Sequence, residues 1–417
     1  MSRLIINGGR RIKGTINMHG AKNAVLPILA ATILTKDISV IHNCPRLKDV
    51  NVTVEILKFL GAEVKREGDT LIVDSSGALR CDIPENLMHE LRSSIVFMGA
   101  ILARCKKAKI SAPGGCELGP RPIDLHISAL RELGVSIVES DEFLECDSSN
   151  FTPCEINLSF PSVGATENIL LASCLSNGLT TIRNAAKEPE IVDLANFLCK
   201  MGAKISGAGS DVIYIDGVSE LKGAEYSIMP DRIAAVTYLC CAAVTGGEIE
   251  IRKVNPDNFM ACLDCFARSG CRIGIGKDTV YLQAPKRLKA IEYIETKPYP
   301  EFPTDAQSLF LAMLCTADGK SIIRENIFKS RFNLATALKD MGADITVSEQ
   351  TALIRGKSVL KGAKVSAPDL RGGAGLIIAA LAANGVTEID KICYIDRGYE
   401  DIELNLSKLG ADIKRID

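Results

Sequence analysis

The sequence predicts an α/β protein of two domains, assembled from six copies of one unit that contains two helices and several strands. Two observations carry this reading. A short phrase recurs at Leu60-Gly61-Ala62, Leu133-Gly134-Val135, Met201-Gly202-Ala203, Ser269-Gly270-Cys271, Met341-Gly342-Ala343 and Leu409-Gly410-Ala411, a period of about seventy residues. The chain of 417 residues is also longer than one hydrophobic core usually serves.

Each phrase closes an amphipathic helix with glycine at the C-terminal cap, and an alternating strand follows, as in Ala62-Glu63-Val64-Lys65 and Ala343-Asp344-Ile345-Thr346. A further strand commonly comes next, for example Thr70 to Asp74 or Val212 to Asp216. Upstream stands a helix rich in small apolar residues: Lys22 to Leu34, Arg92 to Leu102, Ala165 to Leu175, Arg232 to Val244, Asp305 to Leu314 and Arg371 to Ala383. These helices are apolar on nearly every face, so each should run buried through a domain with sheets packed outside it. Three units per domain follow. The opening strand, about Leu4 to Asn17, precedes the first repeat, and the last repeat stops after Ile413 without its closing strand. The N-terminal strand should therefore complete the later domain, which places one domain at 22–229 and the other at 1–21 with 230–417.

Composition bounds the function. Apolar residues make up 47%, charged residues 24%, and the net charge is −2, so nothing draws the chain as a whole to nucleic acid or an anionic membrane. Apolar runs such as Val96 to Ala103 are too short to span a bilayer, and the N-terminus reads as a strand, which points to the cytosol. Most of the fifteen cysteines lie within apolar patterns and read as buried, reduced thiols. Cys262-x-x-Cys265 sits on a helical pattern with no second pair, and with only four histidines in the chain no metal site is expected.

Aligned on the repeat, the polar exceptions fall in two places. At the start of the buried helix stand Lys22-Asn23, Arg92, Asp231-Arg232, Asp305 and Arg371; before the second helix stand Arg46 and Asp49, Cys116 with Arg121 and Asp124, Lys187-Glu188, Arg331 and Arg397. Helix N-termini with added cations suit phosphates and carboxylates, and several converging at a cleft between domains would hold a polyanion. For Asp49, Asp124, Lys187 and Glu188, capping or surface pairing is an equal reading. Lys22, Arg92 and Arg371 oppose the helix dipole beside an apolar run, so something anionic should compensate them. The segment from Ala112 to His126 differs from the other five loops, with three glycines, three prolines and Cys116 in an exposed turn where the rest of the chain hides its thiols. A thiol beside Arg121 and backbone N–H groups ionises more readily than a buried one, and the glycines suit a lid.

Asn17 to Ala31, the Gly-Gly-Cys loop with Arg121 to His126, Ser162 to Thr166, Phe302-Pro303-Thr304-Asp305 and Asp396 to Glu400 together resemble the UDP-N-acetylglucosamine 1-carboxyvinyltransferases. The likeness covers essentially the whole chain. The Cys loop and the Lys-Asn pair argue against the sister 5-enolpyruvylshikimate-3-phosphate synthases, which share the fold but not this loop. The resemblance implies a two-domain inside-out α/β barrel of six βαβαββ units, three per domain. It also implies addition and elimination between phosphoenolpyruvate and UDP-N-acetylglucosamine at the committed step of peptidoglycan synthesis, with no cofactor, and sensitivity to the epoxide phosphonate fosfomycin.

Residue by residue, the resemblance makes Cys116 the acid that also attaches covalently to phosphoenolpyruvate, and Asp305 the base. Lys22, Asn23, Arg121 and Arg397 would grip phosphoenolpyruvate, with Lys22 and Arg397 counted as catalytic beside Cys116 and Asp305. Asn23, Arg92, Arg121, Pro122, Ile123, Asp124, Leu125, Ser162, Val163, Gly164, Asp305 and Ile327 fall where the family holds the sugar nucleotide. Asp49, Glu188, Asp231, Arg232, Arg331 and Arg371 would support them. Closure of the two domains on substrate is expected. Two positions depart from the family: His19 stands where serine is usual, and Phe160 where some members carry lysine near the diphosphate. The alternatives are an enolpyruvyl transferase acting on another nucleotide and a non-catalytic regulatory paralogue; intact Cys116, Asp305 and Arg397 count against the latter.

Overall fold

All six recurring glycines adopt a left-handed backbone, with φ between 81° and 108°, a conformation that a side chain strains. At Gly134 a Cβ would also come within 2.4 Å of the Asn150 carbonyl oxygen. The repeat phrase is thus a stop signal: each amphipathic helix ends there and the chain turns directly into a strand. The structure is a computed structural model and describes residues 2–111, 123–140 and 142–416, with the backbone alone of Arg92 and Ser93. The described residues divide into two units, one running from Gly20 to Met229 and the other combining 2–19 with 230–416.

In the contiguous unit three helices form the interior: Lys22–Ala31, Phe97–Cys105 and Val163–Ser173. Three amphipathic helices, Lys48–Leu60, Asp124–Glu132 and Pro189–Lys200, lie against them. Three four-stranded sheets cover this core, and all have one plan: a short edge strand pairs parallel with its neighbour, and the remaining two pairs are antiparallel. The first sheet takes its edge strand, Glu225–Ser227, from the far end of the unit. Strand burial alternates, as in Thr70–Asp74 where Leu71 and Val73 are buried, because successive side chains point to opposite faces.

The split unit repeats the plan with buried helices Arg232–Val244, Thr304–Leu314 and Leu370–Ala382. Small residues let these helices approach: a Cβ on Gly375 would come within 2.5 Å of a Leu334 methyl and 3.0 Å of the Ser308 carbonyl oxygen. The N-terminal segment enters as two strands rather than the single one expected. Lys13–Asn17 pairs parallel with Glu248–Arg252 in one sheet. Arg3–Asn7 inserts between Val386–Asp390 and Asp412–Ile416, antiparallel to both, and so supplies the closing strand of the sixth unit. The segment breaks at Gly8-Gly9, where Gly9 has φ 86° and a Cβ on Gly8 would meet the Ala383 carbonyl oxygen at 2.2 Å.

Two further elements were not anticipated. A short helix Glu85–Glu90 precedes the second buried helix, which itself starts as a 3₁₀ turn, Arg92–Val96. A two-stranded pair joins Leu360–Lys361 to Ala383–Asn384. No helix among the described residues is long and apolar enough to cross a membrane.

Candidate active site

In the contiguous unit the expected residues gather at helix starts. Lys22 is the first residue of its helix, and its Nζ lies 2.8 Å from Oδ2 of Asp49 in the first turn of Lys48–Leu60. The Asp49 side chain is 1% exposed and that of Lys22 12%. Asp49 is thus the anion that compensates a cation set against its helix dipole, and the cap position of its own helix, Leu47, makes no side-chain bond. Asn23 follows Lys22, half-buried.

Ser162 opens the helix Val163–Ser173, and its carbonyl oxygen accepts from both N–H and Oγ1 of Thr166, at 2.9 and 2.8 Å. Gly164 lies under the His126 ring, where a Cβ would come within 2.9 Å of Cε1. That ring is fixed from its other side, since Nδ1 is 2.7 Å from the Asn168 amide nitrogen, while Asn168 Oδ1 accepts from the Gly99 N–H. Ile123, Asp124 and Leu125 form the start of the helix Asp124–Glu132, and Glu188 immediately precedes Pro189–Lys200. Cys116, Arg121 and Pro122 lie outside the described residues, as does the side chain of Arg92. His19 is half-buried, and Phe160 is 40% exposed.

In the split unit Asp305 is the centre of a polar network. Asp305, second in its helix, takes Arg331 on Oδ1 at 2.6 Å and Arg371 on Oδ2 at 2.9 Å. The guanidiniums are 3% and 4% exposed, the carboxylate 25%. Arg371 also donates to the Tyr399 hydroxyl at 3.1 Å, which meets Thr237 Oγ1 at 2.9 Å. Burial works to lower the Arg371 pKa, but the charges of Asp305, Tyr399 and Asp231 outweigh it and the net shift is upward. Burial pushes the Tyr399 phenol up, against the opposing charge of Arg371.

Asp231 caps Arg232–Val244 through the N–H groups of Ile233 and Ala234, at 2.9 and 2.8 Å, and Asp369 caps the next buried helix through Arg371 and Gly372. The Arg232 guanidinium sits 5.6 Å from the Tyr299 ring centre. Arg397 ends the 3₁₀ turn Ile392–Arg397, and its neighbour Asp396 is gripped by both terminal nitrogens of Arg415, at 3.0 and 2.7 Å. Those bonds, with Glu403, push Arg415 up. The Ile327 N–H donates to the buried Glu325.

Asp369, Arg415 and Glu325 were not singled out from sequence. Asp369 could have been, as an aspartate just before an apolar run; the other two show no local signal. One expectation needs correcting. Of the fourteen described cysteines nine are buried, but Cys199 and Cys393 are exposed and Cys81, Cys105 and Cys154 half-exposed, so the rest of the chain does not hide all its thiols. Cys199 reaches solvent because it lies near the end of an amphipathic helix, Pro189–Lys200. Burial pushes the interior thiols up, Cys265 and Cys315 to about 12 and Cys271 to about 11, which leaves them inert. No cluster able to hold a metal occurs among the described residues.

A family model described as EPSP synthase (3-phosphoshikimate 1-carboxyvinyltransferase) matches residues 6–406. The chain belongs to this enolpyruvyl transferase family. Within the family, it is 51% identical over 416 residues to UDP-N-acetylglucosamine 1-carboxyvinyltransferase 2 of Caldanaerobacter subterraneus subsp. tengcongensis, covering 100% of both chains. It is 46% identical over 419 residues to UDP-N-acetylglucosamine 1-carboxyvinyltransferase of Coxiella burnetii, covering 100% of this chain and 96% of that one. Among solved structures, the enolpyruvyl transferase NikO from Streptomyces tendae superposes with a TM-score of 0.89 at 26% identity, over 99% of this chain and 98% of that one. EPSP synthase from Acinetobacter baumannii superposes at 0.75 over 100% of both chains with 17% identity, a likeness of fold. The enolpyruvyl transferase architecture accounts for the six equivalent sheets and the buried helices.

Proposed function

We infer that this chain transfers the 1-carboxyvinyl group of phosphoenolpyruvate to the 3-hydroxyl of UDP-N-acetylglucosamine, releasing phosphate, as a cytosolic enzyme of peptidoglycan precursor synthesis. The observation that carries this is the 51% identity, over the full length of both chains, to a UDP-N-acetylglucosamine 1-carboxyvinyltransferase. The ion-paired helix starts support it, because the reaction handles dianionic phosphate, a carboxylate and a diphosphate.

Cys116 protonates C3 of the enol, which makes C2 electrophilic. The sugar 3-hydroxyl attacks C2 while Asp305 receives its proton, giving a tetrahedral adduct. Loss of a proton from C3 and of phosphate from C2 then restores the double bond. Asp305 suits its part because Arg331 and Arg371 fix both its oxygens, and a base must lie within hydrogen-bond reach of the proton it takes. Lys22, Arg121 and Arg397 neutralise the phosphate and carboxylate by charge-assisted contacts. Asn23, Arg92, Ile123 to Leu125, Ser162 to Gly164 and Ile327 seat the sugar nucleotide.

A phosphate-release assay with UDP-N-acetylglucosamine and other UDP-sugars tests the assignment. Turnover should require the N-acetylglucosamine nucleotide, and its failure as acceptor removes the proposal. Cys116→Ala should lose turnover yet still bind the sugar nucleotide, since the acid contributes to the transition state rather than to ground-state binding. Fosfomycin should add once, and peptide mass spectrometry should find it on the Cys116 peptide; adducts on Cys199 or Cys393 would assign the reactive thiol elsewhere.

A further inference from the structure

We propose that Glu325 is a positioning residue that holds Asp305 and the Ile327 backbone in one fixed arrangement. This rests on the reading of Asp305 as base and of Ile327 as part of the sugar-nucleotide seat. Glu325 follows the strand Lys320–Arg324 and is 0% exposed. Its Oε1 accepts from the N–H groups of Ile327 and Phe328 at 2.8 and 3.0 Å, and from Thr296 Oγ1 at 2.9 Å. Its Oε2 accepts from Thr304 Oγ1 at 3.0 Å. The Thr296 hydroxyl in turn accepts from the Asn326 N–H at 2.9 Å, and the Asn326 amide donates to the Thr296 carbonyl oxygen at 3.1 Å.

A buried carboxylate is costly unless its lone pairs are filled. Here two hydroxyls and two backbone amides fill them, and the turn from 325 to 328 is folded around the group. A turn alone needs no reach beyond its own amides. Oε2 does reach beyond them, to Thr304, the first residue of the helix whose second residue is Asp305. Asp305 is thereby fixed twice. Arg331 and Arg371 orient its carboxylate, and the Glu325–Thr304 bond anchors the backbone from which it projects. The same carboxylate sets the Ile327 N–H, so one side chain ties the base to the segment proposed to seat the hydroxyl's owner. Positioning of this kind matters to rate because a misplacement of about 1 Å can cost on the order of a hundredfold.

Steady-state kinetics on the full-length enzyme, with folding monitored by circular dichroism and melting temperature, separate this from a purely structural role. Thr304→Val removes the link to Asp305 and leaves the Glu325 bonds to the turn. It should lower kcat about tenfold with KM for UDP-N-acetylglucosamine unchanged, and Thr304→Ser should restore kcat to within about twofold. Glu325→Gln should lower kcat roughly 10- to 100-fold and also raise that KM several-fold, below its melting transition. Thr304→Val at the wild-type kcat, or Glu325→Gln with a lowered melting temperature but unchanged kcat and KM, overturns the proposal. If Glu325→Gln does not fold, the Thr304 pair decides alone. Asp305→Asn at full rate removes the reading of the base and this inference with it; an inactive Asp305→Asn beside an unaffected Thr304→Val removes only this inference.

Discussion

The ion pair Lys22–Asp49 in the contiguous unit and the cluster Arg331–Asp305–Arg371 in the split unit stand at equivalent places, the starts of buried helices, but they are inverted. In the first, the carboxylate is buried and the cation is the more exposed partner. In the second, two buried guanidiniums hold a carboxylate that is the more exposed partner. One repeat thus presents a positive charge braced from beneath by a negative one, and another presents a negative charge braced by two positive ones. The same backbone frame offers an anion-binding group in one unit and a proton acceptor in the other, because the presented residue and its buried brace exchange charge.

If that inversion sets the roles, the two sites should fail differently. The largest effect is expected for Asp305→Asn, which should lower kcat by about 10²- to 10⁴-fold, the usual range for removing a general base, with KM for UDP-N-acetylglucosamine little changed. A loss confined to KM would show that the two clusters act alike. Lys22→Ala should instead act mainly on KM for phosphoenolpyruvate, raising it roughly 10- to 100-fold as a hydrogen bond of charged partners worth about 1.5–3 kcal/mol is lost. Initial rates over a phosphoenolpyruvate series check this, and an unchanged KM would take Lys22 out of the anion site.

The smallest effect sharpens the contrast with a third carboxyl. Asp193 is buried and accepts from the Tyr226 hydroxyl at 2.7 Å and the Met229 N–H at 3.1 Å. Burial pushes it up to about 6, against those bonds. The folded protein therefore holds this proton to a higher pH than the unfolded chain, so the contribution is most favourable below about pH 4, falls as pH rises to about 6, and is flat above; at full effect it is roughly 2–3 kcal/mol. Asp193→Asn should flatten that part of the stability curve, measured as melting temperature at pH 4.5 and 7. An unaltered slope would assign the proton elsewhere.

Much of the fold could be read from the chain because its signals are local. A glycine at the C-terminal cap of an amphipathic helix needs only its own φ, and six of them at a regular spacing expose the repeat. Helices apolar on every face likewise announce their burial. The partners at the candidate site were not readable, because Asp305 meets Arg331 and Arg371 across 26 and 66 residues. That such cations needed an anion followed from the helix dipole; which carboxylate supplied it did not. Glu325 carries no local signal, and its meaning lies in Thr296 and Thr304, which the fold brings to it. The break of the N-terminal segment at Gly8-Gly9 is not legible either, because only the two sheets it enters separate the halves.

The placement of Arg3–Asn7 has a consequence for how the chain is made. Arg3–Asn7 leaves the ribosome long before its two partners, Val386–Asp390 and Asp412–Ile416. The contiguous unit, whose last described strand is Glu225–Ser227, has all its described strands once residue 229 has emerged, and domains fold as units during synthesis. The split unit must keep Arg3–Asn7 unpaired until those two distant strands have been made.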